Sequence, residues 1–289
     1  MSVGSTPRPR LHVLGAGRAA RVVARWLFDR GRVEIGQVLN RRLSSAQQAV
    51  QFIGSGQAVE EFKGELLGDL LLLGVPDGQL SEILQARTLR PALVVHLSGA
   101  HPADVIGRSD LETGSLHPVL PFADPASALA RMDDCRWVTE GSAPALDRLR
   151  AVWAVRDTHW STIAKSAKPA YHAAMICASN YLVTLTDMAR QLAAQAGLPD
   201  ASAADLIATL QFATLDNLEG QTTAAALTGP IERGDLATLE RVTASLQPGR
   251  QSRAYGQLGL ATLELARQSR LPKPSDERIE DLFMALLRG

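Results

Sequence analysis

Cysteine is scarce in this sequence. Only Cys135 and Cys177 occur, far apart and outside any metal-ligand spacing, so no zinc or calcium site is expected and a reducing cytoplasm fits best. An excess of charge is also missing, because 30 Lys and Arg balance 30 Asp and Glu. That balance argues against a general nucleic-acid or anionic-membrane binder, and any ligand charge must be met locally. Long apolar runs are absent too: residues 70–75 are too short to span a bilayer, the later Ala-rich helices are interrupted by polar residues, and no secretory leader is recognisable. A soluble, cytoplasmic protein is expected. Lysine is the last shortage, with Lys63, Lys165, Lys168 and Lys273 set among many arginines, so the close pair at 165 and 168 stands out.

The 289 residues suffice for two domains, each with its own core. The first organising stretch is LHVLGAGRAA, residues 11–20. An apolar run meets Gly15-Ala16-Gly17, and Val22, Val23, Trp26 and Leu27 then recur at helical spacing, which reads as strand, glycine turn and helix. In a dinucleotide-binding unit the first glycine makes the turn, the second admits a pyrophosphate, and a small residue such as Ala20 lets the helix pack on the strand. The helix start, with Arg18 and Ala19, offers free N–H groups and a positive dipole end. A second strand over 33–39 ends in Asn40-Arg41-Arg42. A carboxylate there would accept a ribose 2′-OH and repel a 2′-phosphate, whereas Arg41 or Arg42 can pair with the phosphate, so the stretch favours NADP(H) over NAD.

Further along, Ser44 is placed to cap a helix to about residue 52, 57–59 form a short strand, and the run at 69–75 reads as a parallel strand covered on both faces. Pro76 ends that run, and Asp77 is placed to cap a helix carrying Leu80, Ile83 and Leu84. Residues 92–97 form a fifth strand ending at Ser98-Gly99-Ala100. Strands alternating with helices imply a right-handed doubly wound sheet, with ligands beyond the carboxyl ends of its strands, where Val75, Pro76, Ser98 and Gly99 border the cofactor. Edge strands are expected at 137–138 and 159–163, with a helix over 144–153 between them. Strands then cease. A tail at 1–9, a nucleotide-binding domain at 10–164 and an all-helical domain at 165–289 follow from this change of texture. The helical part is expected to begin with one long helix over 168–195, followed by helices over 203–218, 236–246, 250–270 and 276–287.

A bound nicotinamide needs orientation and a proton donor or acceptor for the substrate. At about 100° per residue, Lys168, His172 and Ser179 fall within about 40° on the long helix, with Asn180 flanking them. A polar stripe beside Ala173, Ala174, Met175 and Ile176 is costly unless it is hydrogen-bonded or faces a wet cleft. His117, held next to Pro118, is the second proton-transfer candidate, and Ser98 sits at a strand end from which a hydroxyl can touch ligand. Each residue also has a plain structural alternative: an exposed helix-start lysine, a packed histidine, a strand-end turn. Cys177, among apolar residues, reads as a buried inert thiol.

The ordered motifs GAGRAA, LLLLGVPD, VVHLSGA, SLHPVLPF, KPAYHAAMICASNYLVTL and LTGPIERGD resemble, over nearly the whole chain, a bacterial two-domain family. Its members pair a Rossmann-like NADP-binding domain with a helical domain of unknown function 2520, and it is more distantly similar to the 6-phosphogluconate dehydrogenase-like group. The resemblance implies an α/β Rossmann-like doubly wound sheet followed by an all-α 6-phosphogluconate-dehydrogenase-like C-terminal domain. It also implies an NADP(H) site, a homodimer built through the helical domain, and a small-molecule substrate bound in an interdomain cleft. His117-Pro118 is similar to the His-Pro of prephenate dehydrogenases, where the histidine contacts the substrate hydroxyl, and Ser98 to a serine that polarises that group. Lys168 and Asn180 resemble the lysine and asparagine of beta-hydroxyacid dehydrogenases. There the asparagine lies one helical turn beyond the lysine; here that position is His172, which therefore competes for the acid–base role. The expected function is an NADP-dependent oxidoreductase acting on a small carbonyl, imine or hydroxy compound, with the loop at 228–235 and Arg233 closing the site. The alternative is a catalytically silent NADP-binding sensor or partner-binding protein.

Overall fold

The computed structural model describes residues 8–85 and 87–288, so the expected tail lies almost wholly outside the described residues. The first compact unit runs through Asn180, beyond the change of texture at residue 164. It contains strands β1 (Arg10–Leu14), β2 (Glu34–Leu39), β3 (Gln57–Val59), β4 (Leu70–Leu73), β5 (Leu93–His96), β6 (Thr113–Val119), β7 (Arg136–Gly141) and β8 (Trp160–Thr162). Helices α1 (Arg18–Asp29), α2 (Leu43–Ile53), α3 (Pro125–Ala130), α4 (Ala143–Trp153) and α5 (Lys168–Ala178) accompany them. The strand order is β3-β2-β1-β4-β5-β6-β7-β8. Pairing is parallel from β3 to β6, antiparallel between β6 and β7, and parallel again from β7 to β8. The doubly wound fold class therefore stands, with its switch of direction between β1 and β4.

Every residue of β4 and β5 is buried, as a strand covered on both faces requires. Leu70 and Leu72 point into one core with Val22, Leu27 and Trp137, while Leu71 and Leu73 point into another with Leu80, Leu84 and Ile106. The alternation follows from the two-residue period of a strand.

Pro118 lies inside β6, where a missing N–H would cost a ladder bond. The pairing of β6 with β5 ends at Ser115, however, so residues 116–119 extend past β5 and pair only with β7. His117 is thereby carried beyond the carboxyl end of β5.

Three local expectations are corrected. Asp77 does not cap a helix: Asp77–Gln79 form a single 3-10 turn followed by irregular turns, and the carboxylate instead accepts from Ser98. Ser44 does not cap α2, which starts at Leu43 with Arg42 at its cap position and no capping side chain. The long helix is broken at Ser179, whose φ of −122° and ψ of −68° leave the helical region, so that α5 ends at Ala178 and α6 (Asn180–Gln195) begins afresh. The steady 100° advance therefore ends before Ser179 and Asn180.

The second unit covers Tyr181–Gly289, with most of α6, α7 (Asp200–Leu218), α8 (Thr223–Ala226), α9 (Pro230–Arg233), α10 (Leu236–Ala244), α11 (Arg250–Ser269) and α12 (Asp276–Arg288). Its core is formed by Leu239, Leu263, Ile279 and Phe283. The segment expected as a loop at 228–235 contains the helical turn α9, which ends with Arg233. Among the described residues no helix is long and apolar enough to cross a membrane.

Candidate active site

Two parts of the first unit carry the chemistry that the sequence singled out. The first is the glycine turn after β1. Gly15 has φ +82°, and a Cβ on it would come within 2.6 Å of Val75 Cγ1 and 2.8 Å of Val75 N, so the turn closes against the end of β4 only with glycine. Gly17 is different. Its φ of −67° suits any residue, and a Cβ there would meet only Gly74 O at 3.5 Å, an ordinary contact. The protein itself does not require this second glycine, and the face it leaves bare adjoins the start of α1. No side chain caps α1 and no acidic residue lies in its first turn, so its leading N–H groups stay available for an anion. Ala20 packs directly against Gly74, as the third small residue of a nucleotide turn should.

An open groove of about 470 Å³ lined by Arg18, Ala19, Phe122 and Ala123 runs beside this helix start, and Arg18 Nη1 donates to Ala123 O at 3.4 Å. At the end of β2, Asn40 Oδ1 accepts from Ala16 N at 2.6 Å and fixes the turn, while Arg41 and Arg42 are exposed. These residues fit the phosphates of a dinucleotide: a bare glycine face, an uncapped helix start and three exposed guanidinium groups.

The second part lies where β5, β6 and α5 meet. Lys168 is fully buried; its Nζ donates to Ser98 O at 2.9 Å and to Ser115 Oγ at 2.6 Å. Burial lowers its pKa to about 8, against the pull of Glu140 and Asp77, which favour the charged form. The ammonium thus clamps the Ser98–Gly99 turn to β6. The Ser98 hydroxyl is equally committed, donating to Asp77 Oδ2 at 2.8 Å and accepting from Ala100 N and His101 N. His96 completes this support, with Nδ1 accepting from Ser98 N and Nε2 lying 3.0 Å from Pro102 O.

Above the turn stand two imidazoles. A Cβ on Gly99 would come within 2.7 Å of His172 Nδ1 and 3.1 Å of His117 Nε2, so both nitrogens converge on the glycine's bare face. The rings meet edge to face, 6.3 Å between centroids at 82°. His172 Nδ1 is buried without a hydrogen-bond partner among the described residues. His117 Nδ1 lies 2.6 Å from Tyr171 Oη. Burial, and then the nearby Lys168 and His172, push the His117 pKa down to about 4, so its imidazole is neutral at physiological pH.

The structure brings together His117, His172, Lys168, Ser98 and Gly99, and separately Gly15, Ala16, Gly17, Arg18, Ala19 and Asn40. Val75 borders the glycine turn just past the end of β4, and Pro76 follows it, leading into the 3-10 turn at Asp77–Gln79. Asn180 is exposed at the start of α6, with its Oδ1 3.0 Å from the Ser179 hydroxyl. On α5 the polar stripe is the one turned inward: Lys168 is buried and Tyr171 and His172 are half-buried, while Ala173, Ala174 and Cys177 are exposed. Cys177 is accordingly an exposed thiol and not a buried one.

Tyr171, Ser115 and the Asp77–Ser98 bond were missed. The first two carried a signal, since Tyr171 is three residues after Lys168 on the helix and Ser115 shares a strand face with His117. Among the described residues no group of three or more His, Cys, Asp or Glu side chains is placed to hold a metal ion. A separate cavity of about 410 Å³, lined by Phe62, Gln79, Ile83 and Leu89 among others, includes none of the imidazole cluster.

Residues 135–262 match the family model described as "Domain of unknown function (DUF2520)". No curated protein sequence matches the chain. Among solved structures, protein TM1727 from Thermotoga maritima is 24% identical, with a TM-score of 0.64 over 96% of this chain and 98% of that one. A Bacteroides fragilis protein named "putative NADP oxidoreductase BF3122" is 22% identical, with a TM-score of 0.74 over 89% and 98%. The 1-pyrroline-5-carboxylate reductase of Streptococcus pyogenes is 14% identical, with a TM-score of 0.57 over 97% and 98%. The resemblance read from the motifs thus holds for the domain of unknown function and for the fold, a Rossmann-like sheet followed by a helical region.

Proposed function

We propose, for a chain that joins a Rossmann-like sheet to the domain of unknown function 2520, an oxidoreductase that uses NADP(H) to interconvert a small carbonyl or imine and its reduced product. The observation that carries this reading is the meeting of His117 and His172 at Gly99, in the same compact unit as the glycine turn. The names of the Bacteroides and Streptococcus proteins of this fold support the same class of reaction.

The nicotinamide, when bound, supplies the hydride. The chain's own residues hold and orient. The bare face of Gly17 and the N–H groups opening α1 receive the pyrophosphate, with Arg18 alongside. Arg41 and Arg42 meet the 2′-phosphate, and Asn40, whose Oδ1 is engaged by Ala16 N, presents no repelling carboxylate. The imidazoles of His117 and His172 hold the substrate's oxygen or nitrogen, and one of the pair exchanges its proton. Lys168 and Ser98 position the turn beneath them and touch no reacting atom.

The helical unit supports a second copy of the chain as partner. Helix α6 buries none of its residues and α7 only Ala203, leaving Leu210 69% and Phe212 74% exposed. A face of that kind asks for an apolar cover, and a matching α6–α7 pair supplies it.

Titration of the full chain with NADPH, followed by nucleotide fluorescence, tests the cofactor half of the proposal. The expected result is saturable binding that Arg41→Ala with Arg42→Ala weakens far more for NADPH than for NADH. Absence of binding by folded protein overturns it.

A further inference from the structure

We infer that Tyr171 is a positioning residue that locks His117 in the Nε2–H tautomer, so that His117 serves as a fixed hydrogen-bond donor and His172 is left to exchange the proton. The assignment rests on the reading of these imidazoles as the reacting site.

It starts from the contact between Tyr171 Oη and His117 Nδ1 at 2.6 Å. One of the two atoms carries the shared proton. A phenol oxygen delocalises its lone pair into its ring and is a better donor than acceptor, whereas the bare nitrogen of a neutral imidazole is a strong acceptor. Both groups hold the required protonation state. Burial raises the Tyr171 pKa to about 12, so the phenol keeps its proton, and the His117 pKa near 4 keeps the imidazole neutral. The groups acting on His117 are Lys168 and His172, which disfavour its charge, and Asp77, which favours it.

With Nδ1 occupied by the phenol proton, the ring's own proton sits on Nε2, the atom that converges with His172 Nδ1 on Gly99. The two histidines are then inequivalent. His117 donates through Nε2 and, held neutral, is a poor acid at physiological pH. His172 Nδ1, buried and without a partner among the described residues, is free to give or take a proton. Tyr171 and His172 occupy adjacent positions on α5, so one helix turn sets both the tautomer of one imidazole and the place of the other.

The test is a 15N spectrum of the full chain labelled at histidine, with the His117 signals assigned by their loss in His117→Asn. The expected wild-type spectrum at neutral pH has a His117 Nδ1 in the unprotonated, hydrogen-bonded range and Nε2 in the protonated range. Tyr171→Phe removes the donor, so the His117 signals move toward a tautomer average while the His172 signals keep their positions. An Nδ1–H tautomer in the wild type overturns the inference even if the variant fails to fold. An unchanged His117 spectrum in a folded Tyr171→Phe protein overturns it as well. Neither readout uses turnover or NADPH, so a failure here is distinguishable from failure of the proposed oxidoreductase activity.

Discussion

The Lys168 ammonium lies 2.6 Å from the Ser115 hydroxyl, with no part of the lysine exposed to solvent. A cation so enclosed, and shared with the Ser98 carbonyl, ties α5 to the sheet; its place is beneath the Ser98–Gly99 turn. Isolated charges of this kind are unfavourable to bury, and the pKa depression to about 8 is the measure of it.

The first expectation concerns pH. An unfolded lysine titrates near about 10.4. The folded value of about 8 is lower, so between the two the folded state binds fewer protons and stability rises with pH. Below about pH 8 both states are protonated and the contribution is constant. Denaturant unfolding of the wild type and Lys168→Met should therefore show the wild type gaining relative stability from about pH 8 to about pH 10. A pH-independent difference contradicts the burial-driven depression of the Lys168 pKa.

A second expectation lies on the acid side. His96 is fully buried and its pKa is lowered to about 4, chiefly by burial. Below its unfolded value of about 6.5 the unfolded chain takes up a proton that the folded chain refuses, so stability falls as pH drops from about 6.5 to about 4. The loss attributable to this one group is about 3 kcal/mol by pH 4. His96→Gln should flatten that part of the curve relative to wild type, and an equally steep curve would count against the assignment.

The two glycines of the turn should separate stability from binding. Gly15→Ala forces a Cβ against Val75 at φ +82° and should destabilise the fold by about 2 kcal/mol or more. Gly17→Ala meets only Gly74 O at 3.5 Å and should cost less than about 1 kcal/mol while weakening NADPH at least about tenfold. Urea unfolding and nucleotide titration on the same preparations decide the matter. Equal stability losses, or undiminished NADPH binding by Gly17→Ala, would contradict the roles given to them.

Asn40→Asp keeps an acceptor for Ala16 N and adds a negative charge where the 2′-phosphate is expected. The preference for NADPH over NADH should fall, with NADH binding preserved. A parallel loss of both nucleotides would mean that the substitution only disrupts the turn.

How much of this was legible in the sequence depends on how local each cause is. The glycine turn and the apolar runs of β4 and β5 were readable because each depends on neighbours within one strand or turn, and the doubly wound class because strands alternate with helices along the chain. The side-chain cluster was readable only in part. Lys168 and His172 share a helical stripe at any orientation, but sequence spacing does not say which stripe faces the sheet, and here the polar one does. The break at Ser179 carries neither glycine nor proline, so nothing local announces it. The bond from Ser98 to Asp77 joins the ends of two strands and exists only once the sheet has formed. Tyr171 lies on the Lys168 side of the helix by spacing alone, but its contact with His117 exists only once α5 has packed on the sheet.

The most direct test of the central claim is turnover of NADPH by the full chain against a panel of small ketones, 2-oxo acids and cyclic imines. Wild type is expected to oxidise NADPH with at least one of them, and His117→Asn with His172→Asn to lose that turnover while binding NADPH as tightly as before. A double variant that retains full activity, or a wild type that binds NADPH tightly yet oxidises it with none of the panel, would contradict it.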